Sequence, residues 1–202
     1  MTPPPADVGA PPSGWKPYVI AFVLGAVVLT ALPFFQRLFL KAPPPIKQLD
    51  VWALTTLGGG EVSSQTFAGQ VVLSTAENDG CDEACLARQR EFGAMARHFD
   101  DLKQPVTLVT VVGPGAKGPL QQLSLGASPK WRFAEGETTF LGQLQVALDA
   151  FLPPPGARFN QSHSVVVIDQ NNAVRGFWQG DVAGRGNAIN AARLLAKEGP
   201  NP

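Results

Sequence analysis

The chain has 202 residues, 45% of them hydrophobic and 16% charged, which leaves room for one ordinary globular domain plus accessory segments. Sixteen Lys and Arg balance sixteen Asp and Glu, so no basic stripe is available to neutralise phosphates, and a nucleic-acid partner is set aside. The 21 Gly and 19 Pro exceed average usage and gather at the ends and in loops, which predicts flexible segments around a compact middle.

MTPPPADVGAPPSG is Pro-rich and polar, a composition that buries too little apolar surface to fold, so residues 1–16 are expected to be disordered. Pro17–Phe35, PYVIAFVLGAVVLTALPFF, carries no charged side chain and is long enough to cross a bilayer as one helix. A cleaved signal peptide is the competing reading. Small residues at the −3 and −1 positions are hard to place after this stretch, and its length favours an uncleaved transmembrane anchor. Lys16 precedes the span while Arg37, Lys41 and Lys47 follow it, and a literal positive-inside count would leave the rest of the chain in the cytoplasm. KAPPPIK then reads as a semi-rigid spacer within a linker of residues 36–48.

From Leu49 strand-like and helix-like segments alternate, giving one domain over residues 49–197 and a tail of 198–202. GGGEVSSQTFAGQ is turn-rich, and Val71–Thr75 (VVLST) is an apolar run of the length of a buried strand. Cys85, Phe92, Ala96 and Phe99 then recur on one face at helical spacing, with Arg88, Glu91 and Arg97 elsewhere. Val106–Val112 (VTLVTVV) is a second buried strand, rich in β-branched residues. Trp131 and Phe133 in WRFAEGE, like Trp178, are expected to pack the sheet. Phe140, Leu144, Leu148 and Phe151 mark a second amphipathic helix, opened by the Glu137-Thr138 pair and closed by Pro153, Pro154 and Pro155. Ser164–Asp169 (SVVVID), a polar turn at QNN and Ala173–Trp178 (AVRGFW) read as a hairpin, and a helix around Ala188–Lys197 ends the domain. Strand–helix–strand crossovers give parallel neighbours and the hairpin adds an antiparallel strand. The expected architecture is therefore α/β, a mixed sheet with helices on both faces.

The two cysteines of the chain, Cys81 and Cys85, stand four residues apart in NDGCDEACLAR, between the first buried strand and its helix. If the helix has begun by Cys81, the i,i+4 spacing brings both sulfurs to one face, at the sheet edge where loops expose reactive groups. The free N–H groups and positive dipole end of a helix N-terminus stabilise a thiolate, which both metal coordination and disulfide exchange require. A buried cysteine often only fills space, but a pair at a helix start, with no third cysteine to bond, points to chemistry. A bridge between them closes too short a loop to add much stability. Asp82 and Glu83 suit the dipole as helix-start acids while opposing thiolate formation beside them. His98, near the end of the same helix, reads as a surface residue. His163 stands directly before a buried strand in FNQSHSVVVID, a place from which it can face the cysteine-bearing helix start, and is a candidate ligand.

LTTLGGGEVSSQTFAGQVVLS, the cysteine loop, WRFAEGE and SHSVVVIDQNNAVRGFWQGD resemble successive blocks of the Sco/SenC family, membrane-anchored thioredoxin-like copper proteins that help assemble the copper centre of cytochrome c oxidase. The resemblance covers about residues 49–197. It implies a thioredoxin-like fold, an N-terminal anchor with the domain on the extracytoplasmic (periplasmic) side, and one copper held by Cys81, Cys85 and His163. The implied partners are the membrane and a cytochrome c oxidase subunit or another copper protein. Asp82 and Leu86 stand where the family carries proline after each cysteine, STAENDG replaces an aromatic-rich strand end, and VVGPGAKGP stands where the family tends to have Asp-Pro. The implied ligands also make chemical sense: thiolates suit Cu(I), and imidazole suits both Cu(I) and Cu(II). Zinc would accept the same set: a structural zinc normally wants four protein ligands and no fourth is evident, but the spacing leaves a catalytic zinc open.

Two functions of different classes follow. The first is a copper metallochaperone, which is not an enzyme. The second is a membrane-tethered thiol-disulfide oxidoreductase in which Cys81 attacks and Cys85 resolves. Thioredoxin-type oxidoreductases carry CxxC with a facing proline, whereas this chain has CxxxC and His163, which favours copper; a decayed, non-functional site is the third reading. A peroxiredoxin-like peroxidase would need a Thr/Pro-rich nucleophile loop, and none is present.

Overall fold

The structure is a computed structural model that describes residues 14, 18–28, 41–77, 80–136, 138–151 and 163–199. It divides into two units, residues 1–41 and 42–202. In the first, residues 18–28 are helical (α1), with Tyr18 and Phe22 exposed. Among the described residues no helix is long and apolar enough to cross a membrane. Pro17 and residues 29–35 of the expected span lie outside the described residues, as do 1–13, Glu137, Pro153–Pro155 and 200–202.

The strands of the second unit are β1 (Lys47–Gln48), β2 (Ala53–Thr56), β3 (Glu61–Ser63), β4 (Val71–Glu77), β5 (Val106–Val112), β6 (Trp131–Glu135), β7 (Ser164–Ile168) and β8 (Ala173–Gln179). They form one sheet in the order β1-β8-β7-β4-β5-β6-β2-β3. Between them run α2 (Glu83–Asp101), α3 (Lys117–Leu125) and α4 (Thr138–Phe151), and α5 (Val182–Glu198) follows β8. Every residue of β4 and β5 is buried, as expected of apolar runs covered on both faces. Strands β4, β5 and β6 are parallel, and the remaining pairings are antiparallel, including the β7–β8 hairpin. The side chains alternate between two cores. Val72, Val109 and Val166 pack with Leu144 and Leu148 of α4 on one face; Leu73, Leu108 and Val167 pack with Phe92 and Phe99 of α2 and Leu195 of α5 on the other. Helices therefore cover both faces of a mixed sheet.

Two details differ from expectation. Helix α2 has not begun at Cys81: Asp82 is its N-cap, extended at φ −80°, ψ −178°, and its Oδ1 accepts from the Cys85 N–H at 2.8 Å, so the first turn starts at Glu83. Phe151 ends α4 at 44% exposed, resting its ring on Phe177, while Phe140, Leu144 and Leu148 are buried as the spacing requires. Elements β1, β2, β3, α3 and β6 are additional to the expected order. Helix α3 is short and carries Gly118 and Pro119, which blur its period, and β6 buries Trp131, Phe133 and Ala134 around an exposed Arg132.

The segment read as linker is partly built into the sheet. The Ile46 N–H donates to the Val174 carbonyl at 2.8 Å, β1 pairs with β8, and Arg175 Nη1 donates to the Pro43 carbonyl at 2.8 Å. Arg175 itself is fixed by the buried Asp169, whose Oδ2 accepts from Nε at 2.6 Å while Oδ1 caps the hairpin turn at the Asn171 and Ala173 N–H groups.

Candidate functional site

Because β8 and β4 are both antiparallel to β7, the strands β4, β5, β6 and β8 end at one edge of the sheet, where β7 begins. The cysteine loop leaves β4 at this edge. The pairings Ser74–Val166 and Ser164–Gln179, continued past the strand ends, set His163 between Glu77 and Gly180.

The backbone of His163 is set by this place in the sheet. It has φ 49°, a left-handed conformation unusual for a residue other than glycine and a frequent mark of functional sites. A Cβ at position 180 would overlap the His163 carbonyl oxygen, so the close approach of the two strands requires Gly180. The imidazole is half-exposed, with Nδ1 3.7 Å from Glu77 Oε2. The Glu77 side chain, the last of β4, is only 6% exposed. Arg88 Nη2 lies 3.6 Å from its Oε2, and Gln89 Nε2 donates to its Oε1 at 3.1 Å. The Gln89 Oε1 accepts in turn from Thr110 Oγ1 at 2.8 Å, and that hydroxyl accepts from the Trp131 indole N–H at 3.0 Å. A chain of polar side chains thus runs beneath α2 from β6 to His163. Glu77, Arg88, Gln89, Phe92, His163 and Arg185 line one small cleft at its end.

Cys81 and Cys85 are joined as a disulfide, with Cα atoms 5.2 Å apart. Cys85 is 2% exposed, and Cys81 is half-buried against the core beneath α2. Of the pair, Cys81 is therefore the more exposed residue. His98 is exposed on α2, edge-on to Phe99, as a surface residue should be. Trp131 and Phe133 pack in the sheet. Among the described residues no three of His, Cys, Asp and Glu are grouped so as to hold a metal ion. With the sulfurs bonded to each other neither is a thiolate, so the donor set suits copper only once the bridge is reduced. Glu77, Gln89 and Gly180 were not singled out by the sequence reading. The available signal was a carboxylate closing an apolar run directly before a cysteine loop, and a glutamine on the apolar face of the following helix.

The sequence matches no family model and no curated protein. Its fold is shared with solved Sco/SenC proteins. A SCO1/SenC family lipoprotein from Bacillus anthracis str. Ames has a TM-score of 0.56 at 16% identity, covering 74% of this chain and 95% of its own. BsSco, a member of the Sco family of cytochrome c oxidase assembly proteins in which a disulfide switch is identified, has a TM-score of 0.58 at 12% identity, covering 78% and 98%. Yeast Sco1 with copper bound has a TM-score of 0.52 at 10% identity, covering 77% and 95%. The fold extends to a thioredoxin family protein, so it is thioredoxin-like, and at these identities the likeness is one of fold.

Proposed function

We propose that this chain is a membrane-anchored metallochaperone, with copper as its cargo and a cytochrome c oxidase subunit or another copper protein as recipient. The observation that carries the reading is a bridged CxxxC pair at the start of α2, sharing a sheet edge with His163, on a fold found in a copper-bound Sco1. Reduction frees Cys81 and Cys85 as two soft donors, and His163 adds a nitrogen acceptable to Cu(I) and Cu(II), so a carrier could keep hold of its cargo in either oxidation state. In this reading residues 17–35 anchor the chain, residues 36–48 tether it, and the domain of residues 49–197 works on the extracytoplasmic side, where a disulfide persists.

Anaerobic Cu(I) loading of the reduced full-length chain tests it. One equivalent is expected to bind to the reduced form and none to the disulfide form. Cys81→Ser or Cys85→Ser should abolish tight binding, and His163→Ala should retain Cu(I) on the thiolates while losing Cu(II). The orientation is checked separately: after mild reduction, an impermeant thiol reagent should label Cys81 in intact spheroplasts, and labelling only after lysis would put the domain in the cytoplasm.

The second reading is a thiol-disulfide oxidoreductase, favoured by the half-buried Cys81 paired to a buried Cys85. The Cys81 thiolate would attack a substrate disulfide, forming a mixed disulfide and releasing one substrate thiolate. Cys85 would then attack Cys81, releasing the second and leaving this chain oxidised and the substrate reduced. Disulfide reduction by a chain that binds no copper when reduced would establish this reading in place of the first.

A further inference from the structure

We infer that Glu77 is a positioning residue for His163: its buried carboxylate takes the Nδ1 side of the imidazole and leaves Nε2 as the donor atom offered to a metal. The inference rests on the proposed role of His163 as a copper ligand. A carboxylate this buried needs a hydrogen bond or an ion-pair partner to remain in the interior, and here it has one of each. Both come from α2: the Gln89 amide at Oε1, and the Arg88 guanidinium beside Oε2. They hold the carboxylate with Oε2 directed at His163 Nδ1, 3.7 Å away. That separation exceeds a hydrogen bond and is one that active-site pairs close when the ligand arrives.

The other end of the residue is fixed independently. The left-handed backbone at His163 and the close approach of its carbonyl to Gly180 set the residue's place at the sheet edge. An imidazole with Nδ1 against a carboxylate carries its proton there, which frees the Nε2 lone pair for coordination, the arrangement by which outer carboxylates orient metal-binding histidines. The same support reaches the other candidate ligands. Gln89 lies four residues after Cys85 on the buried side of α2, about one helical turn away. One helix therefore carries Cys85 and holds the group that aims the histidine.

The chain has two histidines, His98 and His163, so selective 15N-histidine labelling gives two ring systems to assign. The experiment uses the full-length chain in detergent, reduced and metal-free, at about pH 9, where an imidazole is neutral. Long-range 15N–1H correlation reads the tautomer. His163 is expected as Nδ1–H in the wild type and as Nε2–H in Glu77→Gln. In the variant the amide oxygen stays on the Gln89 donor, and its NH2 then faces Nδ1 and needs an acceptor there. Cu(II) affinity should fall by about 10- to 100-fold in the variant while Cu(I) binding is retained. Wild-type His163 as Nε2–H overturns the inference, and this holds even if the variant fails to fold. So does a tautomer that Glu77→Gln leaves unchanged, or one that switches without loss of Cu(II) affinity. A tautomer switch in a chain whose reduced wild type binds no copper supports Glu77 as the orienting group and overturns the copper reading instead.

Discussion

Gln89 is the residue on which the polar chain beneath α2 depends. Both ends of its amide are engaged in the interior, N–H to Glu77 and oxygen to Thr110, and the side chain is 1% exposed. Removing it leaves a buried carboxylate and a buried hydroxyl each short of a partner, and each such loss costs about 1–3 kcal/mol. Gln89→Leu, similar in volume, should therefore destabilise the protein by about 2–4 kcal/mol in urea unfolding. A loss under about 0.5 kcal/mol, the scale of an ordinary surface change, would show that the network contributes no stability. Asp82 acts at the same scale. Its cap on the Cys85 N–H sets the helix start two residues after Cys81, so the disulfide joins a residue outside the helix to one in its first turn.

At the scale of the element, α2 sits close to the sheet because Gly93 lies over Trp131. A Cβ at position 93 would overlap the six-membered ring of a tryptophan that is 7% exposed and held by its own hydrogen bond to Thr110. Alanine is a better helix former than glycine by about 1 kcal/mol, yet overpacking a filled core costs about 1–3 kcal/mol. Gly93→Ala should therefore lower stability, with the cost of the displaced ring exceeding the helical gain. Gly186 in α5 is the control: nothing lies within 4 Å of a Cβ there, so Gly186→Ala should gain about 0.5–1 kcal/mol. Thermal unfolding of the two variants should shift in opposite directions, and a shared upward shift would mean that the α2 contact has slack.

At the scale of the whole molecule, the sheet reaches back past the expected domain start. Residues 43–48 contribute the Pro43 carbonyl on Arg175, the Ile46 bond to Val174, the β1–β8 pairing and the Gln48 amide on the Asn171 carbonyl. A chain starting at Leu49 keeps Trp52 on Asn172 but loses all of these, and with them the partly buried Ile46. Relative to a chain starting at Ala42 it should be less stable by about 2 kcal/mol, or roughly 4–8 °C in Tm. Equal melting of the two would show that β1 is only laid against the sheet. If residues 17–35 are the anchor, this docking shortens the free tether that follows it.

The sequence by itself determined the elements whose signal is local. Seven buried residues at Val106–Val112, the helical spacing of Phe92, Ala96 and Phe99, and the turn residues between Ile168 and Ala173 each define a strand, a helix face or a hairpin within one window. It also marked the cysteine pair and His163, because unusual side chains stand out wherever they fall. The tertiary structure alone decided which of these meet. Glu77 lies beside His163 only because β4 pairs antiparallel with β7, and His163 lies beside Gly180 only because the hairpin register brings them level. Register between strands distant in the chain is set by the packing of both sheet faces and by the closing of the loops between them. Neither leaves a pattern in any single window, so a buried carboxylate with three polar neighbours appeared in the sequence as one more residue in a loop.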